Sequence, residues 1–324
     1  MRRLTGIKAP IKEEMKEFEA FFKSSVKTKV PLLDHITNYI LRRKGKQLRP
    51  VLVFLSAKLT GEPNKSTFTA AALIELLHTA TLIHDDVVDD SYERRGFFSL
   101  YAIWKTKIAV LVGDYLLSRG LLLAIGNREY RTLGIVSEAV KEMSEGELYQ
   151  IQKARKLDIT EDEYFDIIKK KTATLMIACT ASGAASVNAT DEQVEKLKQF
   201  AAHAGIAFQI KDDLFDYQKK GITGKPAAND IKEKKLTLPL IHSLSVTSGK
   251  TKREILNLIK RNRNNSRRID RIIEFVINNN GIRYAELKME EHKEKAIECL
   301  SYFPDNEAKK ALIDLAKYIT ERKR

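Results

Sequence analysis

Between Pro63 and Pro226 the chain contains no proline. Proline breaks helix interiors, and all-β folds depend on turns that glycine and proline supply. Glycine is scarce too, with 15 in 324 residues. So long a stretch without breakers predicts helix after helix. Apolar periodicity agrees. Residues 68–89 place Leu73, Leu77, Ala80 and Val87 near one stripe, and His78, Leu82, Asp85 and Asp89 on another. Lys105 to Ala124 and Tyr130 to Gln152 read as further helices. Thr160 with Glu163 forms a capping box, and Thr190 with Gln193 opens a helix running to about Tyr217. Residues 218–229 read as a loop, helices resume near Lys234, Asn262–Ser266 reads as another loop, and Pro304-Asp305 starts the last helix. No alternating strand pairs, fixed repeat or low-complexity linker is visible. The expectation is one all-α domain covering residues 1–324.

Hydrophobic residues make up 43% and charged residues 31%, which excludes global disorder. The net charge of +14 would suit nucleic acid, anionic lipid or phosphorylated small molecules. The densest basic segment, Lys260 to Arg271, has no interleaved aromatics, zinc-finger spacing or RNA-recognition signature, so nucleic acid is not expected as a partner. Two cysteines, Cys179 and Cys299, cannot build a disulfide framework or a four-thiolate zinc site. They suit a reducing, cytoplasmic setting. Met1 to Gly6 is basic without an apolar run behind it and predicts no secretory signal. The run Ile108 to Leu117 is interrupted by Asp114, and no segment is expected to cross a bilayer. A peripheral contact with a membrane surface stays open.

Two acidic clusters carry the chemistry. Asp85, Asp86 and Asp89 close one long apolar helix, and Asp212, Asp213 and Asp216 close another. In each, the first and last aspartates lie one turn apart on one face, where like charges repel. A helix C-terminus also disfavours them. A cation would resolve both conflicts, and all-carboxylate ligation selects Mg²⁺. A solvated acidic helix end remains the plain alternative for either cluster alone. Bases flank the acids: Lys46 and Arg49, Arg94 and Arg95, Lys171, and Lys225. Carboxylates that hold Mg²⁺ beside bases that hold phosphate oxygens describe a diphosphate site. His78, two turns before Asp85, shares its face; His35, His84, His203, His242 and His292 receive only a structural reading.

Eight segments then occur in order: GKQLRP (45–50), LIHDDVVDDSYERRG (82–96), VGDYLLSRG (112–120), EGELYQ (145–150), KKTATL (170–175), FQIKDDLFDY (208–217), GKPAAND (224–230) and KKLTLPL (234–240). Together they resemble the trans-type polyprenyl diphosphate synthases, especially medium- and long-chain bacterial members. The resemblance spans residues 42–245 and continues more weakly to the C-terminus. It implies the isoprenoid-synthase helical bundle with a central cavity, and a homodimer. It implies Mg²⁺ ligation by Asp85 and Asp89, with Asp86 in the same cluster, and by Asp212 supported by Asp213 and Asp216. It implies allylic-diphosphate contacts from Arg94, Lys171, Thr172, Gln209 and Lys225, with Lys235 near the leaving group. Lys46, Arg49, His78 and Arg95 would contact isopentenyl diphosphate. Ala228 departs from the family pattern, which usually has glycine there.

The implied reaction is head-to-tail condensation. Metal and bases stabilise the departing diphosphate of an allylic substrate, and the double bond of isopentenyl diphosphate attacks the cation left behind. The departing diphosphate takes the proton, so no Ser-His-Asp or Cys-His arrangement is needed. Ala80 and Thr81, about 5.4 Å of helix rise before Asp85, are small, and the resemblance implies that aromatics here stop growth at fifteen carbons. A product of twenty carbons or more is therefore expected, of the quinone side-chain type, with the cavity floor deeper, at Leu77 or on the helix holding Tyr115, Leu116 and Leu122. The alternatives are a short-chain farnesyl or geranylgeranyl diphosphate synthase, or a terpene cyclase, which would need no isopentenyl diphosphate site. The basic C-terminus, Arg322-Lys323-Arg324, is a candidate to close over bound diphosphate.

Overall fold

The computed structural model describes residues 2–42, 45–94, 96–217, 229–260 and 265–322. Sixteen α-helices run through these residues. The first eight are α1 (Arg2–Lys8), α2 (Lys12–Ser25), α3 (Pro31–Leu41), α4 (Leu48–Thr60), α5 (Lys65–Val88), α6 (Leu100–Gly126), α7 (Tyr130–Lys156) and α8 (Glu161–Ile168). The rest are α9 (Thr174–Ser186), α10 (Asp191–Phe215), α11 (Asn229–Lys232), α12 (Leu238–Ser245), α13 (Gly249–Lys260), α14 (Ser266–Asn278), α15 (Gly281–Cys299) and α16 (Glu307–Glu321). A π-helical turn, Lys169–Ala173, joins α8 to α9.

The all-α expectation holds, with one correction. A two-residue antiparallel hairpin, β1 (Glu93–Arg94) and β2 (Phe97–Phe98), follows the first acidic motif, with Glu93 opposite Phe98 and Arg94 opposite Phe97. Strands this short leave no alternation to read.

Local capping chemistry sets several helix starts. Glu163 and Thr160 exchange backbone-to-side-chain bonds at 2.9 and 3.3 Å, as expected. Thr190 and Gln193 do the same at 3.0 and 3.2 Å. Asn64 starts α5 earlier than the periodicity suggested: its Oδ1 accepts from the Ser66 N–H at 2.8 Å. Asn306 Oδ1 accepts from the Lys309 N–H at 2.8 Å and sets the start of α16. The largest difference is at α6. Ser99 Oγ accepts from the Ala102 N–H at 3.1 Å, so helix begins at Leu100. The expected start, Lys105, is instead a break inside it, at φ 66° and ψ 173°. The loop expected at 218–229 lies outside the described residues up to its last position, where α11 begins, and 261–264 lie outside them as well.

The chain forms two compact units, each from three separate stretches. The first comprises Met1–Ser137, Ala178–Lys198 and Phe303–Leu312. There α5 packs against α2, α4 and α6. Its Leu73, Ile74, Leu76 and Leu77 are buried with Val51, Phe54 and Leu55 of α4 and Phe18 of α2. Gly113 lets α6 pass close to the end of α5, since a Cβ there would lie 2.2 Å from His84 Nε2. The second unit comprises Glu138–Ile177, Gln199–Tyr302 and Ile313–Arg324. There α12 packs against α8, α14 and α15. Ile210, Leu214, Leu238, Leu240, Ile272 and Val276 lie in its core.

One expectation about membranes is corrected. Among the described residues α5 and α6 are long and apolar enough, by length and composition, to cross a membrane. Asp114 interrupts the apolar run without lowering the average over an 18-residue stretch of this helix enough. In α5 67% of the apolar window is buried, which makes it a core helix. In α6 only 33% is buried, and Leu111, Leu121, Leu122 and Ile125 stay exposed.

Candidate active site

In the first unit, α5 delivers Asp85 and Asp86 in its last turn, and Asp89 follows as its cap, its N–H bonded to the Asp85 carbonyl at 2.8 Å. Asp85 and Asp89 are exposed. Asp86 is 4% exposed and lines a cavity of about 280 Å³ together with Arg49, Glu75, His78, Thr79 and Leu82. Phe22, Tyr39, Phe97 and Phe98 make the cavity's aromatic walls. The hairpin is pinned as one wall, because Tyr39 Oη donates to the Phe98 carbonyl at 2.7 Å and Ser99 Oγ to the Ser91 carbonyl at 2.6 Å. Lys46 is exposed between Gly45 and Gln47, which both line the cavity. Arg49, His78 and Asp86 are thus brought together here. Glu75 joins them without having been expected; its signal was a lone acid in the apolar run ALIELLHTA. Leu77 and Ala80 are buried, while Thr81 is half-buried and donates to the His78 carbonyl at 2.9 Å.

In the second unit, α10 carries Gln209, Asp212 and Asp213, and Asp216 follows its end. Asp212 and Asp216 are half-buried. Asp213 points inward and is 4% exposed. Tyr164 Oη donates to its Oδ2 at 2.7 Å and Gln209 Nε2 to its Oδ1 at 2.8 Å. Gln209 Oε1 in turn accepts from Thr172 Oγ1 at 2.6 Å. Asp216 Oδ2 accepts the Asp230 N–H at 2.6 Å. Burial pushes the Asp213 carboxyl up to about 7 and that of Asp230 up to about 8, with the neighbouring aspartates adding to both. Burial likewise raises the Tyr164 phenol well above its ordinary range. Tyr164 and Asp230 were missed as site residues. Asp230 closes the GKPAAND segment, whereas Tyr164 belongs to none of the recognised segments.

The expected bases of this unit are paired with glutamates outside the motif. Lys171 Nζ donates to Gln150 Oε1 at 2.8 Å and pairs with Glu147. Lys235 pairs with Glu233 at 2.5 Å. Burial alone would lower the Lys235 pKa, but Glu233, Asp230 and Glu147 together outweigh it and the net shift is upward. Arg322, from the last turn of the chain, pairs with Asp212 and stacks 4.1 Å from the Phe208 ring centre. The side chain of Arg94, together with Arg95, Lys225, Ala228, Lys323 and Arg324, lies outside the described residues.

The donors are all oxygen, and among the described residues no three acid, imidazole or thiol side chains converge as a ready-made metal cage. The oxygen donor set fits Mg²⁺, which takes one or two carboxylates and completes its shell with water and substrate phosphates. Asp85, Asp89, Asp212 and Asp216 have the accessibility for that role.

The profile of the polyprenyl synthetase family matches residues 30–276. The chain belongs to the polyprenyl synthetase family. It is 36% identical to the all-trans-nonaprenyl-diphosphate synthase (geranyl-diphosphate specific) of Rhodobacter capsulatus, over 98% of this chain and 97% of that one. A polyprenyl synthase of Caulobacter crescentus, solved with calcium and isoprenyl diphosphate, superposes with a TM-score of 0.90 at 30% identity, covering 99% and 98% of the two chains. A geranylgeranyl pyrophosphate synthase of Bacteroides thetaiotaomicron superposes with a TM-score of 0.84 at 37% identity, covering 99% and 100%. These whole-chain matches agree with a polyprenyl synthetase built on the isoprenoid-synthase helical fold.

Proposed function

We propose that this chain is a Mg²⁺-dependent prenyltransferase that condenses isopentenyl diphosphate head-to-tail with an allylic diphosphate, giving an all-trans polyprenyl diphosphate of twenty carbons or more. The observation that carries the reading is the pairing of each acidic motif with its own recognition group: Arg49 and His78 in the cavity beside Asp86, and Gln209 with the Thr172 hydroxyl bonded to the second motif.

Arg49 and His78 would bind isopentenyl diphosphate, their cationic and N–H groups meeting phosphate oxygens while Leu82 and the aromatic walls take the five-carbon tail. Lys171 and the Thr172 hydroxyl would hold the allylic diphosphate, with Lys235 behind them. Asp85 and Asp89, and Asp212 with Asp216, would hold Mg²⁺, which when bound supplies the positive charge that stabilises the leaving diphosphate. The apolar cavity walls exclude water from a cation that water would quench. No side-chain base is required, because the departing diphosphate can accept the proton. A homodimer is part of the proposal, since the exposed apolar face of α6 (Leu111, Leu121, Leu122 and Ile125) needs a cover. The nonaprenyl relative favours a long product.

The test is an incubation with Mg²⁺, labelled isopentenyl diphosphate and each allylic primer in turn, followed by sizing of the products. Incorporation that ends at twenty carbons or beyond is expected. Absence of incorporation with every primer overturns the assignment, and a product that stops at fifteen carbons overturns its length.

A further inference from the structure

The second acidic motif contains a buried aspartate whose two oxygens are both taken. Tyr164 Oη bonds one at 2.7 Å and Gln209 Nε2 bonds the other at 2.8 Å. The chain of bonds continues, through Gln209 Oε1, to the Thr172 hydroxyl at 2.6 Å. It therefore links α8, α10 and the π-helical turn. Close backbone approach supports it: a Cβ on Gly205, one turn before Gln209, would lie 2.6 Å from the Cα of Ala173. The π-turn itself is a local insertion of the kind that re-aims side chains at functional sites.

Successive helix positions are rotated by about 100°. A carboxylate tied to α8 at position 213 therefore fixes the direction in which position 212 projects, and with it the turn that carries Asp216, whose N–H bonds the Asp213 carbonyl at 3.2 Å. Each carboxylate oxygen has two lone pairs, so these bonds alone do not bar a metal ion. Burial does: Asp213 is 4% exposed and turned toward Tyr164, whereas Asp212 and Asp216 are only half-buried.

We infer that Tyr164 and Asp213 are positioning residues: Tyr164, through Asp213 and Gln209, sets the rotation of α10 that presents Asp212 and Asp216 to a metal–diphosphate, and aims the Thr172 hydroxyl at the same ligand. Asp213 is then not a metal ligand. This rests on the metal–diphosphate reading of the motif.

The test compares Tyr164→Phe, which keeps the ring, Asp213→Asn, which keeps an acceptor for Tyr164, and Asp212→Asn. The readouts are Mn²⁺ binding in the presence of inorganic diphosphate, followed by electron paramagnetic resonance, together with the KM for isopentenyl diphosphate and the melting temperature. Tyr164→Phe should weaken diphosphate-dependent Mn²⁺ binding about tenfold, the scale of one lost hydrogen bond to a charged group, with the KM for isopentenyl diphosphate within about twofold. Asp213→Asn should lose less than about tenfold and Asp212→Asn more than about a hundredfold. Equal losses in Asp213→Asn and Asp212→Asn would make Asp213 a ligand and overturn the inference. A Tyr164→Phe protein that melts lower but binds Mn²⁺ normally would make Tyr164 merely structural. Normal binding in Asp212→Asn would instead remove the metal–diphosphate reading itself, and the inference with it.

Discussion

Replacing Lys105 with glycine should stabilise the protein. Lys105 sits within α6 at φ 66° and ψ 173°. That combination is essentially a glycine conformation, and a side chain held in it costs roughly 1–3 kcal/mol. Glycine returns part of the gain, because it loses about 0.5–1 kcal/mol more chain entropy on folding. The balance is a stabilisation of about 1 kcal/mol at mid-range, with an upper bound of about 2.5 kcal/mol. An unfolding entropy of about 2.1 cal/mol/K per residue gives roughly 0.7 kcal/mol/K for 324 residues. The melting temperature should therefore rise by about 2 °C, and by no more than about 4 °C. Nothing opposing is lost from packing, since the Lys105 side chain is exposed and its one recorded bond, to the Ala102 carbonyl, is 3.4 Å long. Lys107→Gly is the control, an exposed position with ordinary helical backbone two residues on, where glycine should destabilise by about 1 kcal/mol. Both variants are compared with the parent by thermal and urea unfolding followed by far-ultraviolet circular dichroism. A Lys105→Gly protein that melts as low as Lys107→Gly would refute the strain argument.

Three further outcomes are expected. Between pH 7 and 9 the metal-free protein should lose stability. Asp213 and Asp230 are raised to about 7 and 8, so the folded chain binds protons that the unfolded chain, titrating near 3.9, does not. Their contribution is complete below about pH 4 and disappears as pH rises through the folded values. Burial lowers the pKa of His203 and His292, and starting at pH 7 keeps their opposite effect, centred near 6.5 in the unfolded chain, out of the measurement. A melting temperature that is flat over this range in Mg²⁺-free buffer would contradict the assignment. Arg322→Ala should lower the melting temperature in Mg²⁺-free buffer by the equivalent of roughly 1 kcal/mol, the scale of its stacking on Phe208, and should tighten Mn²⁺ binding by uncovering Asp212; unchanged binding would show that the arginine does not compete with metal. Thr81→Phe should shorten the product while sparing use of the shortest primer, and is a cleaner test than Ala80→Phe, because Ala80 is 2% exposed and a ring there overpacks the core by about 1–3 kcal/mol. Sizing of the products decides it.

What could be read from the residues alone was whatever is local. The Thr160–Glu163 and Thr190–Gln193 caps are three-residue patterns, and the aspartate spacings are one-turn patterns, so both were visible. The break at Lys105 was not, because no glycine or proline marks it. The hairpin beside the first motif was too short to show a period. Tyr164 reaches Asp213 across 49 residues and Arg322 reaches Asp212 across 110, distances over which no periodicity carries information. The inward turn of Asp213 is invisible for another reason. Spelling puts it next to Asp212, and only the tertiary partners decide which of two adjacent carboxylates faces solvent.

The two compact units trade places along the chain five times, and four of those crossings fall inside α7, α9, α10 and α16. A helix melts cooperatively, so neither unit should come apart without fraying helices that serve the other. A single unfolding transition follows, with no protease cut that frees a functional half. The order of synthesis is constrained in the same way. The first unit awaits residues 303–312 and the second awaits 313–324, both parts of one terminal helix or its approach. A ribosome must therefore deliver the residues of α16 before either can close, and loss of that helix through a premature stop codon should cripple both together.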